Sequence, residues 1–301
     1  MLPNRVTIVD VGPRDGLQNE KQTVSTAHKV ELVHRLQAAG LREIEVTSFV
    51  SPKWVPQMAD NAKVMSGLRR QANVRYSVLV PNMKGLEAAL PTEPDEVVVF
   101  GAASEAFSQR NINCGIAESI ERFRPVVAAA HDSNLKVRGA ISCSLGCPYQ
   151  GAVSPDEVER VVMLMKGIGV DHCGVADTIG VGTPKRVQAA MERVLKHYPL
   201  HEVSGHFHDT YGQALANIYA CLAMGIHTFD ASIAGLGGCP YAKGATGNVA
   251  TEDVIFMLKG LDIETGIDLE TLVDAGAFIS EVMGRPPVSR AGKALLAKRV
   301  A

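Results

Sequence analysis

The sequence lacks a hydrophobic run long enough to cross a membrane, and its charges nearly cancel. Among 301 residues, Lys and Arg number 30 and Asp and Glu number 32, so the formal net charge is -2. A chain this close to neutral has no bulk charge with which to attract nucleic acid or an anionic membrane surface. We therefore expect neither nucleic acid nor membrane as a partner.

Cysteine is also scarce. The six cysteines are scattered along the chain, and no two of them stand in a CxxC spacing. Such sparse thiols exclude a disulfide framework and do not suggest a zinc knuckle. The sequence also opens directly into a strand-like segment, without the pattern of a signal or transit segment. Together these features predict a cytoplasmic protein.

What the sequence has in quantity is an alternation of short Val- and Ile-rich runs with longer segments of helical periodicity. Hydrophobic residues make up 46% of the chain, enough for a large core. The predicted strands are residues 6–11, 43–47, 74–80, 96–100, 136–142, 170–176, 202–206 and 228–233. The predicted helices are residues 27–39, 61–70, 84–90, 116–131, 155–168, 183–196, 213–224 and 249–258.

Eight strands that are each followed by a helix predict an α/β fold of the (β/α)8 type, a TIM barrel. No linker interrupts the pattern, so residues 1–301 are expected to form a single catalytic domain. Residues 268–283 predict a helix or two beyond the eighth unit, and we expect residues 265–301 to pack on the barrel as a C-terminal helical extension. An open doubly wound sheet is the alternative, but residues 12–16 lack the GxGxxG spacing of a dinucleotide site.

Two histidines separated by one residue mark the end of the seventh predicted strand. Side chains two positions apart in a strand share a face, so His206 and His208 can bind one metal ion while Phe207 points away. The same pattern equally fits two polar residues at a strand end. Oxygen ligands at other strand ends would favour the metal site.

Reactive side chains do follow other strands, which is where barrel enzymes place their chemistry. Arg14 and Asp15 follow the first predicted strand, Glu45 lies within the second, and Asp177 follows the sixth. An inward-facing Glu45 would be costly to bury without a cation or hydrogen-bond partner. Asp15 and Asp177 equally fit the helix caps or turn formers that Asp often provides after a strand.

The segment after the eighth predicted strand, residues 235–248, holds five glycines in fourteen residues. Glycines allow positive φ and close backbone approach to a ligand, so this segment suits a mobile lid. Cys239 stands between glycines and a proline with little to pack against, which favours a reactive thiol over an inert one. Lys243 is more typical of a solvent-facing lysine than of a Schiff-base nucleophile.

Taken together, His206, His208, Asp15 and the amide oxygen of Asn248 offer a nitrogen and oxygen ligand set. Without thiolates, this set fits Mg²⁺ or Mn²⁺ better than a closed structural zinc site. The imidazoles leave zinc, cobalt and iron open as alternatives. An ion with open coordination positions predicts a catalytic metal rather than a structural one.

Several segments resemble the hydroxymethylglutaryl-CoA lyases, a (β/α)8 metallolyase family related to isopropylmalate and homocitrate synthases. The arginine-aspartate pair and the HxH pattern are shared with the condensing relatives, whereas the cysteine-containing glycine loop is typical of the lyase. The similar segments run over nearly the whole chain and comprise residues 11–20, 48–60, 146–149, 177–180, 206–210 and 237–248.

The resemblance implies cleavage of 3-hydroxy-3-methylglutaryl-CoA to acetyl-CoA and acetoacetate, as in leucine degradation, with an acyl-CoA substrate and Mg²⁺ or Mn²⁺. The implied metal ligands are Asp15, His206, His208 and Asn248. The implied catalytic residues are Arg14 at the thioester oxygen, Cys239 as the loop acid or base, and Glu45, Asp177 or His206 as the base that takes the hydroxyl proton.

Other functions stay open at this point. A longer-chain 3-hydroxyglutaryl-CoA analogue or acyl condensation in the reverse direction would use the same metal and Arg14. A catalytically silent CoA-binding barrel and a Schiff-base aldolase that uses Lys243 are alternatives of other classes. A homodimer is the ordinary expectation for a soluble homomer.

Overall fold

The computed structural model describes residues 2–238 and 247–299. Eight parallel strands close into a barrel in chain order, and the last strand pairs with the first. All eight predicted strands are present with shifted ends, so the predicted (β/α)8 barrel is confirmed and the open sheet is excluded. The strands are β1 Thr7–Asp10, β2 Glu43–Ser48, β3 Arg75–Leu79, β4 Glu96–Ala102, β5 Lys136–Ser142, β6 His172–Asp177, β7 Val203–Phe207 and β8 Thr228–Ala231.

The two faces of the strands have different neighbours. Arg138 in β5 reaches Ser204 in β7 and Asp230 in β8, which are not adjacent to β5, so its side chain crosses the barrel interior. Because adjacent residues of a strand point to opposite faces, Gly139 faces the outside of the barrel. A Cβ at Gly139 would lie 2.8 Å from the Met165 sulfur, because the surrounding helices pack closely there.

Helices surround the barrel. The helices that were predicted from periodicity are present, although the predicted helix 61–70 already ends at Ser66. A helix at Glu105–Ile112 was not predicted. The helices of the eight units are α1 Thr26–Ala38, α2 Asn61–Ser66, α3 Met83–Ala89, α4 Glu105–Ile112, α5 Ile116–Asp132, α6 Pro155–Gly167, α7 Pro184–Val194, α8 Ala214–Ala223 and α9 Thr251–Gly260.

Two further helices follow the eighth unit, α10 at Leu269–Val282 and α11 at Arg290–Lys298. Helix α10 packs against α1, and α11 packs against α9 and α10. They therefore cover the side of the barrel where the chain's first and last units meet. Within residues 2–238 and 247–299, no helix has both the length and the apolar character needed to cross a bilayer.

A single π-helical turn, Gly12–Gly16, follows β1 at the carboxyl end of the barrel. It presents Arg14 and Asp15 at the rim where β2, β6 and β7 also end. The turn requires glycine at its start, because a Cβ at Gly12 would lie 2.7 Å from both Asp10 Oδ1 and Ile233 Cγ2. Asp10 Oδ1 accepts the Gly12 N–H at 2.8 Å and so fixes where the turn begins.

Candidate active site

Three of the predicted metal ligands lie together at this rim. One ligand atom from each of Asp15, His206 and His208 lies within 4.8 Å of the others. Nε2 of His206 is 3.9 Å from Oδ2 of Asp15, and the two imidazole centroids are 5.3 Å apart. The i, i+2 spacing at the end of β7 therefore puts both rings on one face, as the sequence predicts.

His208 provides the strongest sign that a ligand belongs in this cluster. It is only 7% exposed, and its Nδ1 is buried without a hydrogen-bond partner among the described residues. Burial, followed by the neighbouring His206, lowers the pKa of His208 to about 4. The imidazole is therefore neutral, which is the form that coordinates metals. Buried polar atoms without partners are rare, and a divalent cation would explain this one.

Arg14 lies between two carboxylates. Its Nε donates to Glu45 Oε1 at 2.6 Å, and its Nη1 donates to Asp15 Oδ1 at 2.7 Å. Burial works against the charge of Arg14, but Glu45 and Asp15 raise its pKa, so the guanidinium stays protonated. Glu45 is 2% exposed and faces inward with the cationic partner that its burial requires.

The Asn248 side chain also contacts the cluster, but through its amide nitrogen and not through its amide oxygen. Its Nδ2 donates to Asp15 Oδ2 at 2.8 Å, whereas the predicted metal ligand is the amide oxygen. The physical reason is the charge of Asp15. Burial raises the pKa of Asp15, but the charge of Arg14 lowers it, and the net pKa lies below its usual value, so an anionic carboxylate draws the amide donor. Rotation of the amide by half a turn would exchange oxygen for nitrogen.

Asp177 has a different set of contacts. Its Oδ1 accepts the Val181 N–H at 3.1 Å and its Oδ2 accepts the Gly182 N–H at 2.8 Å. Burial raises the pKa of Asp177 to about 6 despite these hydrogen bonds. The carboxylate thus anchors the loop after β6, which is the turn-forming alternative for this residue. Its catalytic role stays a prediction.

The glycine loop is described only at its two ends. Cys239 and Lys243 lie outside the described residues, so the lid and the roles predicted for these two residues stay predictions. Gly237 has a φ of +122°, and a Cβ there would lie 2.9 Å from Asn248 Nδ2. Glycine is therefore required where the start of the loop passes Asn248.

A layer of charged side chains beneath the site was missed by sequence reasoning. Asp230 Oδ2 lies 3.1 Å from His206 Nδ1, and Asp230 Oδ1 accepts a hydrogen bond from Arg138 Nη2. The same Nη2 donates to Ser204 Oγ at 3.0 Å. The sequence signal for Arg138 and Asp230 is the same as for Glu45, namely a charged residue within a buried strand.

The HMGL-like family matches residues 5–279 of the sequence. The chain belongs to this family. A Pseudomonas aeruginosa member named 3-hydroxy-3-isohexenylglutaryl-CoA/hydroxy-methylglutaryl-CoA lyase is 59% identical over 297 residues, which cover 99% of each protein. The mitochondrial hydroxymethylglutaryl-CoA lyase of Homo sapiens is 52% identical over 293 residues, which cover 97% of this chain and 90% of the human protein.

Solved structures of HMGL-like proteins share the whole architecture. The crystal structure of hydroxymethylglutaryl-CoA lyase from Pseudomonas aeruginosa gives a TM-score of 0.97 at 58% identity and covers 99% of both chains. A lyase from Acinetobacter baumannii in complex with coenzyme A and 3-methylmalate gives 0.92 at 33% identity, with 97% of this chain and 95% of that chain covered. The family resemblance drawn from the sequence motifs is confirmed.

Proposed function

We propose that the protein is a lyase that cleaves 3-hydroxy-3-methylglutaryl-CoA to acetyl-CoA and acetoacetate with the help of a divalent cation. The observation that carries this proposal is the cluster of Asp15, His206 and His208 beside a buried, permanently charged Arg14. Membership of the HMGL-like family supports it, since relatives with 52% and 59% identity are named as lyases for this substrate.

The reaction can be written so that every electron pair is placed. The tertiary hydroxyl loses its proton, a carbonyl forms at that carbon, and the neighbouring C–C bond breaks. The electron pair stays on the released fragment as the enolate of acetyl-CoA, which then takes up a proton at carbon. Cleavage therefore needs an acidified hydroxyl on one side and a stabilised enolate oxygen on the other.

Asp15, His206 and His208 would hold the cation, and a turn of the Asn248 amide would add an oxygen. When bound, a divalent cation lowers the pKa of the substrate hydroxyl and fixes its orientation. The oxygen and nitrogen donors without thiolate favour Mg²⁺ or Mn²⁺. His208 suits this role because its imidazole is neutral before any ligand arrives.

Arg14 would stabilise the enolate oxygen. Glu45 and Asp15 engage Nε and Nη1, and among the described residues nothing accepts a hydrogen bond from Nη2. The N–H groups of Arg14 Nη2 are therefore available to donate to a thioester oxygen. Because two carboxylates fix the guanidinium in advance, the charge is already oriented when negative charge develops, which is the property that makes such groups effective.

Glu45 and Asp177 are better suited to positioning than to proton transfer. The Glu45 carboxylate is engaged by Arg14, and both oxygens of Asp177 accept backbone N–H groups of the following loop. We propose that Glu45 orients Arg14 and that Asp177 shapes the rim of the site. Cys239 remains our candidate for the acid that protonates the enolate carbon.

Product analysis tests this function. Purified protein with 3-hydroxy-3-methylglutaryl-CoA and Mg²⁺ or Mn²⁺ is expected to release equal amounts of acetyl-CoA and acetoacetate, and EDTA is expected to stop the release. Cleavage that persists in EDTA and is trapped by borohydride would instead indicate a Schiff-base enzyme that uses Lys243. Binding of CoA esters without any cleavage would indicate the silent barrel.

A second substrate is favoured by one comparison. The Pseudomonas aeruginosa relative with 59% identity carries 3-hydroxy-3-isohexenylglutaryl-CoA in its name. We infer that this longer ester is a candidate substrate of the same site. The ratio of kcat/KM for the two CoA esters decides the point: cleavage of the methyl ester alone would remove the longer substrate, and comparable values would show a site that accepts both.

A further inference from the structure

We infer that Asp230 and Arg138 are positioning residues that hold the His206 imidazole in one orientation and one tautomer, with Nε2 free to bind a metal ion. This inference rests on the proposed metal-dependent function and extends it to residues beneath the ligand cluster. It depends on contacts that join three strands through the barrel interior: His206 in β7, Asp230 in β8 and Arg138 in β5.

The first contact fixes the ring of His206. Asp230 Oδ2 lies 3.1 Å from Nδ1, and the opposite ring nitrogen, Nε2, lies 3.9 Å from Asp15 Oδ2. An ionised carboxylate only accepts hydrogen bonds, so Nδ1 must carry the proton in the neutral ring. The lone pair then sits on Nε2, on the side of Asp15. Metal-binding histidines are commonly oriented by a carboxylate in this way.

The second contact fixes Asp230 itself. Its Oδ1 accepts a hydrogen bond from Nη2 of Arg138, which also donates to Ser204 Oγ at 3.0 Å. Arg138 is itself buried, and its guanidinium forms an ion pair with this carboxylate. The carboxylate is therefore ionised and has one oxygen committed to Arg138, which leaves the other for His206.

The two histidines differ in this respect. Nδ1 of His208 has no hydrogen-bond partner within the described part of the chain, whereas Nδ1 of His206 has a buried carboxylate. Both Arg138 and Asp230 are less than a tenth exposed. A buried ion pair is weak evidence for stability because desolvation offsets its attraction. The contact between Asp230 and His206 supplies a functional reason for burying this ion pair.

Replacement of Asp230 by Asn makes a sharp test because the side chain keeps its shape. Arg138 still needs an acceptor, so it would keep the amide oxygen, and the amide NH₂ would face His206 Nδ1. That NH₂ needs an acceptor, so the imidazole proton would move to Nε2, where it blocks metal binding. We expect Asp230→Asn to weaken Mn²⁺ binding by about 10- to 100-fold, measured by electron paramagnetic resonance on the whole protein.

Glu252→Gln is the matched control. Glu252 is another fully buried carboxylate, but its oxygens accept the Ala234 N–H at 3.0 Å and do not contact the ligand cluster. The control variant is expected to bind Mn²⁺ like the unaltered protein. Equal weakening in both variants would show that any replacement of a buried carboxyl group loosens the barrel, and it would overturn the positioning role.

The tautomer supplies a readout that does not depend on metal. Two-bond ¹H–¹⁵N correlation spectra at about pH 9, where neutral imidazoles dominate, should place the His206 proton on Nδ1 in the unaltered protein and on Nε2 in Asp230→Asn. An unchanged tautomer, or unchanged Mn²⁺ affinity, would overturn the inference. If the unaltered protein binds no Mn²⁺ while the tautomer still switches, the proposed metal chemistry fails and the positioning of His206 stands.

Discussion

At the scale of single residues, the candidate site depends on charges that hold one another in place. Arg14 is held by Glu45 and Asp15, Asp15 receives the Asn248 amide, and Asp230 holds His206. Each of these groups would be costly to bury alone. A change at any one of them therefore alters both the chemistry and the orientation of its partner.

Arg14→Gln is expected to lower kcat by two to three orders of magnitude, that is by roughly 3–4 kcal/mol, because the charge that stabilises the enolate oxygen is lost. Mn²⁺ affinity should fall far less than kcat, since no predicted ligand is removed and only the contact that orients Asp15 is lost. Steady-state kinetics and metal titration check the two parts. Arg122→Gln is the control, because Arg122 forms an exposed pair with Glu118 far from any proposed role.

Arg14→Lys separates charge from geometry. Lysine keeps the positive charge but not the planar fork that bonds Glu45 and Asp15, so we expect it to recover only part of the lost kcat. Full recovery would mean that a point charge suffices. Near-native turnover of Arg14→Gln would remove Arg14 from the mechanism altogether.

At the scale of secondary-structure elements, the sequence predicted what depends on local periodicity. The strands are short and largely buried, and several of them, such as β1 and β4, are Val- and Ile-rich runs that hydrophobicity locates. Helix α4 was missed because only Phe107 and Ser108 are buried within its eight residues. Its start is set by a local contact, the Ser104 side chain accepting the Phe107 N–H at 3.1 Å.

In the candidate site too, the sequence predicts some of the contacts and misses others. His206 and His208 are neighbours in sequence and Asp15 follows a strand, so their convergence follows from the barrel topology. The pair formed by Arg138 and Asp230 joins residues 92 positions apart on strands that are not adjacent. Such a pair depends on which side chains meet across the barrel interior, and periodicity carries no information about that register.

The N-cap of α6 provides a test at this scale. Ser154 accepts the Glu157 N–H, and the Glu157 side chain accepts the Ser154 N–H, which together form a capping box. Ser154→Ala should lower the free energy of unfolding by about 1 kcal/mol without changing kcat, as measured by urea denaturation. Thr183→Ala is the control, since Thr183 caps α7 without a side-chain hydrogen bond. If the free energy of unfolding fell equally in both variants, the Ser154 side chain would not stabilise α6 as a cap.

The buried Glu252, at the start of α9, should make the free energy of unfolding depend on pH. Burial raises its pKa from 4.5 to about 8, so the folded protein holds a proton that the unfolded chain releases between these values. The free energy of unfolding must then fall as pH rises through this window. Glu252→Gln should make the slope less negative by up to about 1.4 kcal/mol per pH unit, measured by urea denaturation between about pH 5.5 and 7.5.

The exposed Glu281 of α10 provides the control for this measurement. Glu281→Gln makes the same chemical change at an exposed position, and it should leave the slope unchanged. If Glu252→Gln left the slope unchanged as well, the buried carboxyl would not be the group that holds the proton.

At the scale of the whole molecule, the closed barrel brings the carboxyl ends of all eight strands to one rim. We propose that residues 1–301 act as one catalytic domain, with the helices after residue 265 as its extension. The homodimer and the cytoplasmic location stay predictions, the first of which sedimentation equilibrium can check directly.

Metal binding should stabilise the whole fold. A ligand present at 100 times its dissociation constant adds about 2.7 kcal/mol to the free energy of unfolding if only the folded state binds it. Mn²⁺ should therefore raise Tm of the unaltered protein, and His208→Ala should abolish this rise. The control is Ca²⁺ at the same concentration, which prefers oxygen ligands to imidazoles. Equal stabilisation of the variant would place the ion elsewhere.

The most direct measurement is anomalous diffraction from crystals grown with Mn²⁺. The account predicts one manganese peak bounded by the Asp15 carboxylate and the imidazoles of His206 and His208, within reach of the Arg14 guanidinium. A saturating concentration that leaves this position empty, or a peak at another place in the barrel, would contradict the central claim.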